Sequence, residues 1–165
     1  MNDRHTTHRD RDEHGRAHNA RPRDRLGRPL PHGAIGEDPP GPGDDVTLTA
    51  PGSLALAQEL LDTGWPFRAH EILEATWKLA PDEERALWKG LAQLAVGATH
   101  AARGNTVGAR RLLLRGRDAI APFDSPPEDI DVTGLCTWVA DSLATLDRVD
   151  DAVELSSPRL RRVSR

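Results

Sequence analysis

From Ser53 to Val149, Leu, Ala, Val and Trp recur at helical spacing, and Gly and Pro interrupt them at intervals. Ser53 is a good N-cap for a first helix through LALAQELLDT, stopped at Gly64, with Leu54, Leu56, Leu60 and Leu61 toward the core. Pro66 suits the first turn of a second helix, which should end near Ala80 because Pro81 follows. Pro81 and the acids Asp82, Glu83 and Glu84 open a third helix that runs to Arg103, with Gly104 as its stop. Asn105 caps a fourth, TVGARRLLLRGRDAIA, ending at Pro122. After the loop FDSPPEDIDVTG, a fifth from about Leu135 to Arg148 presents Leu135, Trp138, Val139, Leu143 and Leu146 on one side, with Cys136 beside them. No strand pattern or internal repeat stands out. The pattern predicts an all-α protein, a compact bundle of about five helices with antiparallel neighbours.

The ends of the chain read differently. Residues 1–50 alternate Arg, Asp and His and then turn Pro/Gly-rich, with too little apolar surface to offset the entropy of ordering. They are expected to form a flexible, disordered arm that wraps the domain through RPRDRLGRPLP, whose prolines favour extended backbone. Five of the seven histidines lie in this arm, but their irregular spacing reads as solvated chain, not a metal tract. Residues 51–150 make the helical domain, and 151–165 form a basic tail expected to fray.

Charge and cysteine content narrow the function classes. The formal net charge is −4, and the excess of acids lies in the helical part, which argues against nucleic acid as a partner. One cysteine, Cys136, excludes an intrachain disulfide and suits a reducing compartment. No apolar run approaches the roughly 18 residues of a membrane span, and the charged amino terminus lacks a signal peptide's apolar stretch. The expectation is a cytoplasmic protein.

The candidate chemistry lies on the second and third helices. His70, Glu74 and Trp77 fall at i, i+4 and i+7, on one helical face. On the third helix, Lys89, Gln93 and His100 interrupt an apolar run, and polar side chains there must find partners or cost stability. Facing each other, the two helices would share a buried polar cluster. His70, Glu74 and His100 could ligate a divalent ion (zinc, manganese or iron) with room left for water. Glu71 could add a ligand or act as a base, and Gln93 could orient a ligand or water. A metal-bound water could run a hydrolysis. Without metal, His70 and Glu74 could still be an acid–base pair.

A structural account competes: the same residues could be a hydrogen-bonded network that locks helix register in a non-catalytic interaction module. Lys89 favours that account, because it could neutralise Glu74 and repel a cation. Gly90, Gly97 and Gly104 recur every seven residues, suggesting that the second and third helices approach closely. The four tryptophans read as packing residues whose indole N–H groups need acceptors. Arg103, Arg110, Arg111, Arg115 and Arg117 make the fourth helix locally basic; pairing with nearby acids is the default, and an anion or nucleotide site the sharper alternative. Cys136 reads as packing.

HEILEATW followed by WKGLAQLAVGATHAARGNTVGARRLLLRG resembles the small prokaryotic family catalogued as domain of unknown function 309, over roughly residues 54–120. The likeness rests on a His-x-x-x-Glu-x-x-Trp motif (His70, Glu74, Trp77) and a His-x-x-Arg-Gly-Asn segment (His100, Arg103, Gly104, Asn105). It implies an all-helical fold and a suspected metal-binding, hydrolase-like site with an unestablished reaction. Trp77, Lys89, Gln93, Arg103 and Asn105 would then surround His70, Glu74 and His100. The partner would be an unidentified small-molecule substrate or protein.

Overall fold

A computed structural model of the protein describes residues 21–43 and 45–164. Five α-helices follow one another: α1 (Ala50–Asp62), α2 (Pro66–Leu79), α3 (Asp82–Ala102), α4 (Thr106–Ile120) and α5 (Val132–Leu146). A single 3₁₀ turn, Pro127–Asp129, lies between α4 and α5. Among the described residues there is no β-strand, and no helix is long and apolar enough to cross a membrane. The all-α bundle read from the periodicity is the observed fold.

The punctuation acts largely as its chemistry requires. Pro66 starts α2, where its missing N–H costs nothing, and Asn105 Oδ1 accepts the Gly108 N–H to cap α4. Gly64 and Gly104 take the left-handed conformation, each at φ +82°, just after a helix. Two boundaries move outward. α1 begins at Ala50 because Thr49, not Ser53, caps it, and Ser53 is instead buried, accepting a hydrogen bond from Thr76 Oγ1 at 2.8 Å. α5 begins at Val132 because Asp131 supplies the cap.

Each helix packs on its sequence neighbour, and α3 is the centre, packed most extensively on α4 and then on α2. Its core side chains Leu87, Trp88, Leu91 and Leu94 are essentially sealed from solvent, together with Leu54, Leu60 and Leu73 of α1 and α2. Both pairings run antiparallel. Along α2 and α3, Trp77 meets Lys89 near one end, while Phe67 meets Arg103 near the other.

The glycine stripe of α3 faces α4 rather than α2, which corrects the expected partner. A Cβ built on Gly90 would stand 2.6 Å from Ile120 Cγ2, and one on Gly97 would stand 2.8 Å from Leu113 Cδ2. Gly116 of α4 completes the contact, since a Cβ there would be 2.9 Å from the Gly90 carbonyl oxygen. Gly104 is not part of this contact; it turns the corner between the two helices.

The final segment, expected to fray, is instead a docked strap. Val153 N–H donates to the Ala101 carbonyl at the end of α3, at 3.0 Å. Trp138 Nε1 donates to the Ser156 carbonyl at 2.8 Å. Gln58 of α1 receives the Leu160 N–H and donates to the Pro158 carbonyl, both at 2.9 Å, as a strand partner would. Leu160 is buried, and its carbonyl accepts the Asp131 N–H.

At the other end, the wrapping expected of RPRDRLGRPLP is present. Arg23 bridges to Pro29, and the turn between them rests on Phe67 of α2 and on Arg103, just after α3. Residues 1–20, with most of the arm's histidines, lie outside the described residues. His32 accepts from Arg21 Nε at the surface, at 3.3 Å.

Candidate functional site

Helical spacing alone brings His70 and Glu74 together: Nε2 of the ring is 3.0 Å from Glu74 Oε2. The other carboxylate oxygen of Glu74 takes Lys78 Nζ at 2.8 Å, again one turn on. Hydrogen bonding from Lys78, above all, holds the Glu74 carboxyl below its usual range, so it is ionised at neutral pH and can only accept. His70 is also held below its ordinary value, chiefly by burial, against the pull of Glu74 and Glu71. A neutral ring beside an acceptor-only carboxylate carries its proton on Nε2.

That leaves Nδ1 of His70 as a bare lone pair. The atom is buried and, among the described residues, has no hydrogen-bond partner. The Phe67 carbonyl, one turn earlier, favours the protonated ring without reaching hydrogen-bond geometry at this nitrogen. The Phe67 ring packs against the imidazole, with centroids 5.7 Å apart.

His100, at the end of α3, is held differently. Asn105 spends its carbonyl oxygen on the α4 cap, so its amide nitrogen donates to His100 Nδ1 at 3.2 Å. The neutral His100 therefore carries its proton on Nε2. Burial and the neighbouring Arg103 both lower its pKa. The His-x-x-Arg-Gly-Asn segment thus has a physical reading: Asn105 caps α4 and orients His100, Gly104 makes the corner, and Arg103 reaches back to donate to the Leu26 carbonyl of the arm.

The remaining residues take separate places. Glu71 is exposed and pairs with Arg68 at 3.2 Å. Lys89 stacks its ammonium 5.2 Å over the Trp77 ring. The neutralising partner of Glu74 is therefore Lys78, not Lys89, because an i+4 neighbour needs no help from tertiary packing to reach it. Gln93 is half-buried on α3. Among the described residues, no three His, Cys, Asp or Glu side chains gather so that they could hold one metal ion. Glu74 is shared between His70 on one oxygen and Lys78 on the other, and His100 Nδ1 is held by Asn105.

Elsewhere, Trp88 Nε1 donates to Glu84 at 3.1 Å, as expected of a packed indole. The basic face of α4 is at least partly paired, Arg110 with Asp147 and Arg117 with Asp118. Burial raises the Cys136 thiol, which suits packing better than reactivity. What spacing did not foretell is the aromatic–guanidinium group formed by the arm. Arg23 and Arg103 both lie over Phe67, and Arg25 lies 5.0 Å over Trp65.

Residues 54–112, from α1 to the middle of α4, match the family described as Domain of unknown function (DUF309). A stretch of 48 residues is 50% identical to the uncharacterized protein YpuF of Bacillus subtilis (strain 168). It covers 28% of this chain and 28% of that relative. No solved structure matches the chain.

Proposed function

We propose that His70 is the working residue of a proton-transfer site, with Nδ1 the atom that takes up and returns the proton. The observation that supports this reading is the asymmetry of the ring. One nitrogen is tied to a carboxylate and the other is buried without a partner among the described residues. Buried polar atoms in folded proteins are overwhelmingly hydrogen-bonded, so one without a partner calls for an account, and a catalytic role is one. Glu74 fixes the tautomer and would stabilise the imidazolium, Lys78 keeps Glu74 ionised, and the Phe67 carbonyl would meet the incoming proton. A hydrolysis fits this arrangement. His70 would accept the proton of an attacking water and deliver it to the leaving group.

The same bare nitrogen favours a second reading, a divalent ion held by His70 with Glu74 behind the ring as orienting carboxylate instead of ligand. Zinc, manganese or iron would then activate the water. Metal analysis of protein purified without a nickel column, alongside hydrolysis of an activated ester, separates the two. Turnover that chelator leaves intact and His70→Asn abolishes is the outcome expected of the first reading. Metal bound in proportion to protein and lost in His70→Asn is that expected of the second. Equal ester turnover and negligible metal in both proteins would defeat both and leave a non-catalytic interaction module.

A further inference from the structure

The arm and the corner between α3 and α4 bring two arginines to one aromatic ring. Arg23 Cζ is 5.7 Å and Arg103 Cζ 5.6 Å from the centroid of Phe67. Each guanidinium donates to a backbone carbonyl of the same turn, Arg23 Nη1 to Gly27 and Arg103 Nη2 to Leu26. Among the described residues, neither arginine lies within ion-pair distance of a carboxylate. Arg28 is near enough to repel Arg103, and Asp24, which attracts Arg103, is already paired with Arg28 at 3.2 Å. Arg103 Nε is buried with no acceptor among the described residues.

Gathering like charges in a half-buried place, with one N–H left unmet, is unfavourable unless an opposite charge completes it. We propose that Arg103 and Arg23 form a binding site for an anionic group, a carboxylate or a phosphate, beside Phe67. The guanidinium fork matches either anion with two parallel hydrogen bonds, and Arg103 Nη2 already holds one carbonyl oxygen, that of Leu26. A cleft of about 350 Å³ adjoins Arg23 and Phe67. Of its acids, Asp24, Glu37 and Glu71 are already paired with Arg28, Arg25 and Arg68, while exposed Asp38 competes weakly from solvent. The site does not depend on the reading of His70. It would, however, place an anionic ligand across one aromatic ring from that imidazole.

Inorganic phosphate and succinate, titrated separately into the full chain at ionic strength held constant with KCl, test the proposal and distinguish its two anions. The readouts are the Arg103 Nε–H resonance and the melting temperature. A saturable movement of both with at least one probe is expected. It should weaken at least tenfold in Arg103→Lys, which keeps the charge but loses the fork, and in Arg23→Gln, which lies outside every helix. Arg115→Gln, an exposed change on α4, should respond as the parent does. No saturable movement with either probe, or an undiminished response in Arg23→Gln, overturns the site.

Discussion

The spacing of α3 and α4 is set by Gly90, Gly97 and Gly116, and Gly116→Ala tests it with a single methyl group. A Cβ at that position would lie 2.6 Å from Leu94 Cδ2 and 2.9 Å from the Gly90 carbonyl oxygen, both inside van der Waals contact. Leu94 can yield only by leaving a site where it is 2% exposed, and the backbone oxygen cannot yield without moving α3. Overpacking of this kind costs about 2–3 kcal/mol. Alanine in place of glycine inside a helix returns about 1 kcal/mol. The net loss is therefore about 1–2 kcal/mol, or roughly 4–8 °C at the roughly 4 °C per kcal/mol of a domain this size. Thermal unfolding followed by circular dichroism measures it, with Arg115→Ala on the exposed side of the same helix as the control, expected within about 0.5 kcal/mol of the parent. Gly116→Ala melting at or above the parent temperature would refute the close approach. The corner carrying His100, Arg103 and Asn105 joins these same helices, so the variant should also disturb the His100–Asn105 hydrogen bond.

Three further outcomes follow from the geometry. Gln58→Ala releases the strap from both its 2.9 Å bonds, and should lower stability by about 1–2 kcal/mol and speed proteolysis after Arg159 and Arg161. His70, His100 and Glu74 are all held below their ordinary values. The stability they lend is therefore full above pH 6.5, the ordinary histidine value, and is lost as pH falls through the folded-state values. The melting temperature should fall between pH 7 and pH 4, less steeply in His70→Asn; parallel slopes for the two proteins would contradict the burial of His70. Gly27→Ala meets both a backbone held at φ +74° and the Phe67 ring 2.3 Å from the new Cβ. It should make the Arg23–Arg28 turn markedly more sensitive to trypsin, with little change in helix melting.

What spacing could convey, it conveyed: helical periodicity, the start of α2 at Pro66, the cap at Asn105 and the His70–Glu74 contact are all local relations. The errors begin where a residue must choose between partners. A seven-residue glycine period names a face of α3 but not the helix that covers it; Gly116, a small residue on α4, was the signal that could have decided. The sequence lets Lys89 neutralise Glu74 across the helices, yet Lys78 stands four residues along the same helix, a pairing that the i,i+4 rule alone supplies. The strap escaped for another reason. It holds on through backbone groups bonded to Gln58 and Trp138, which leave no hydrophobic period in SSPRLRRVSR.

The two motifs differ in how completely they are satisfied, and the proposed chemistry rests on that difference. Glu74 has both oxygens engaged, His100 Nδ1 is met by Asn105, and Lys89 rests on Trp77. Among the described side chains, two buried polar atoms are left without partners, His70 Nδ1 and Arg103 Nε. One is an acceptor with the proton on the far side of its ring, the other a donor fixed by its charge. Both belong to groups that pack on Phe67. A structural network has no reason to collect its deficits around one aromatic ring. The proposed proton-transfer residue and the proposed anion site would share that ring.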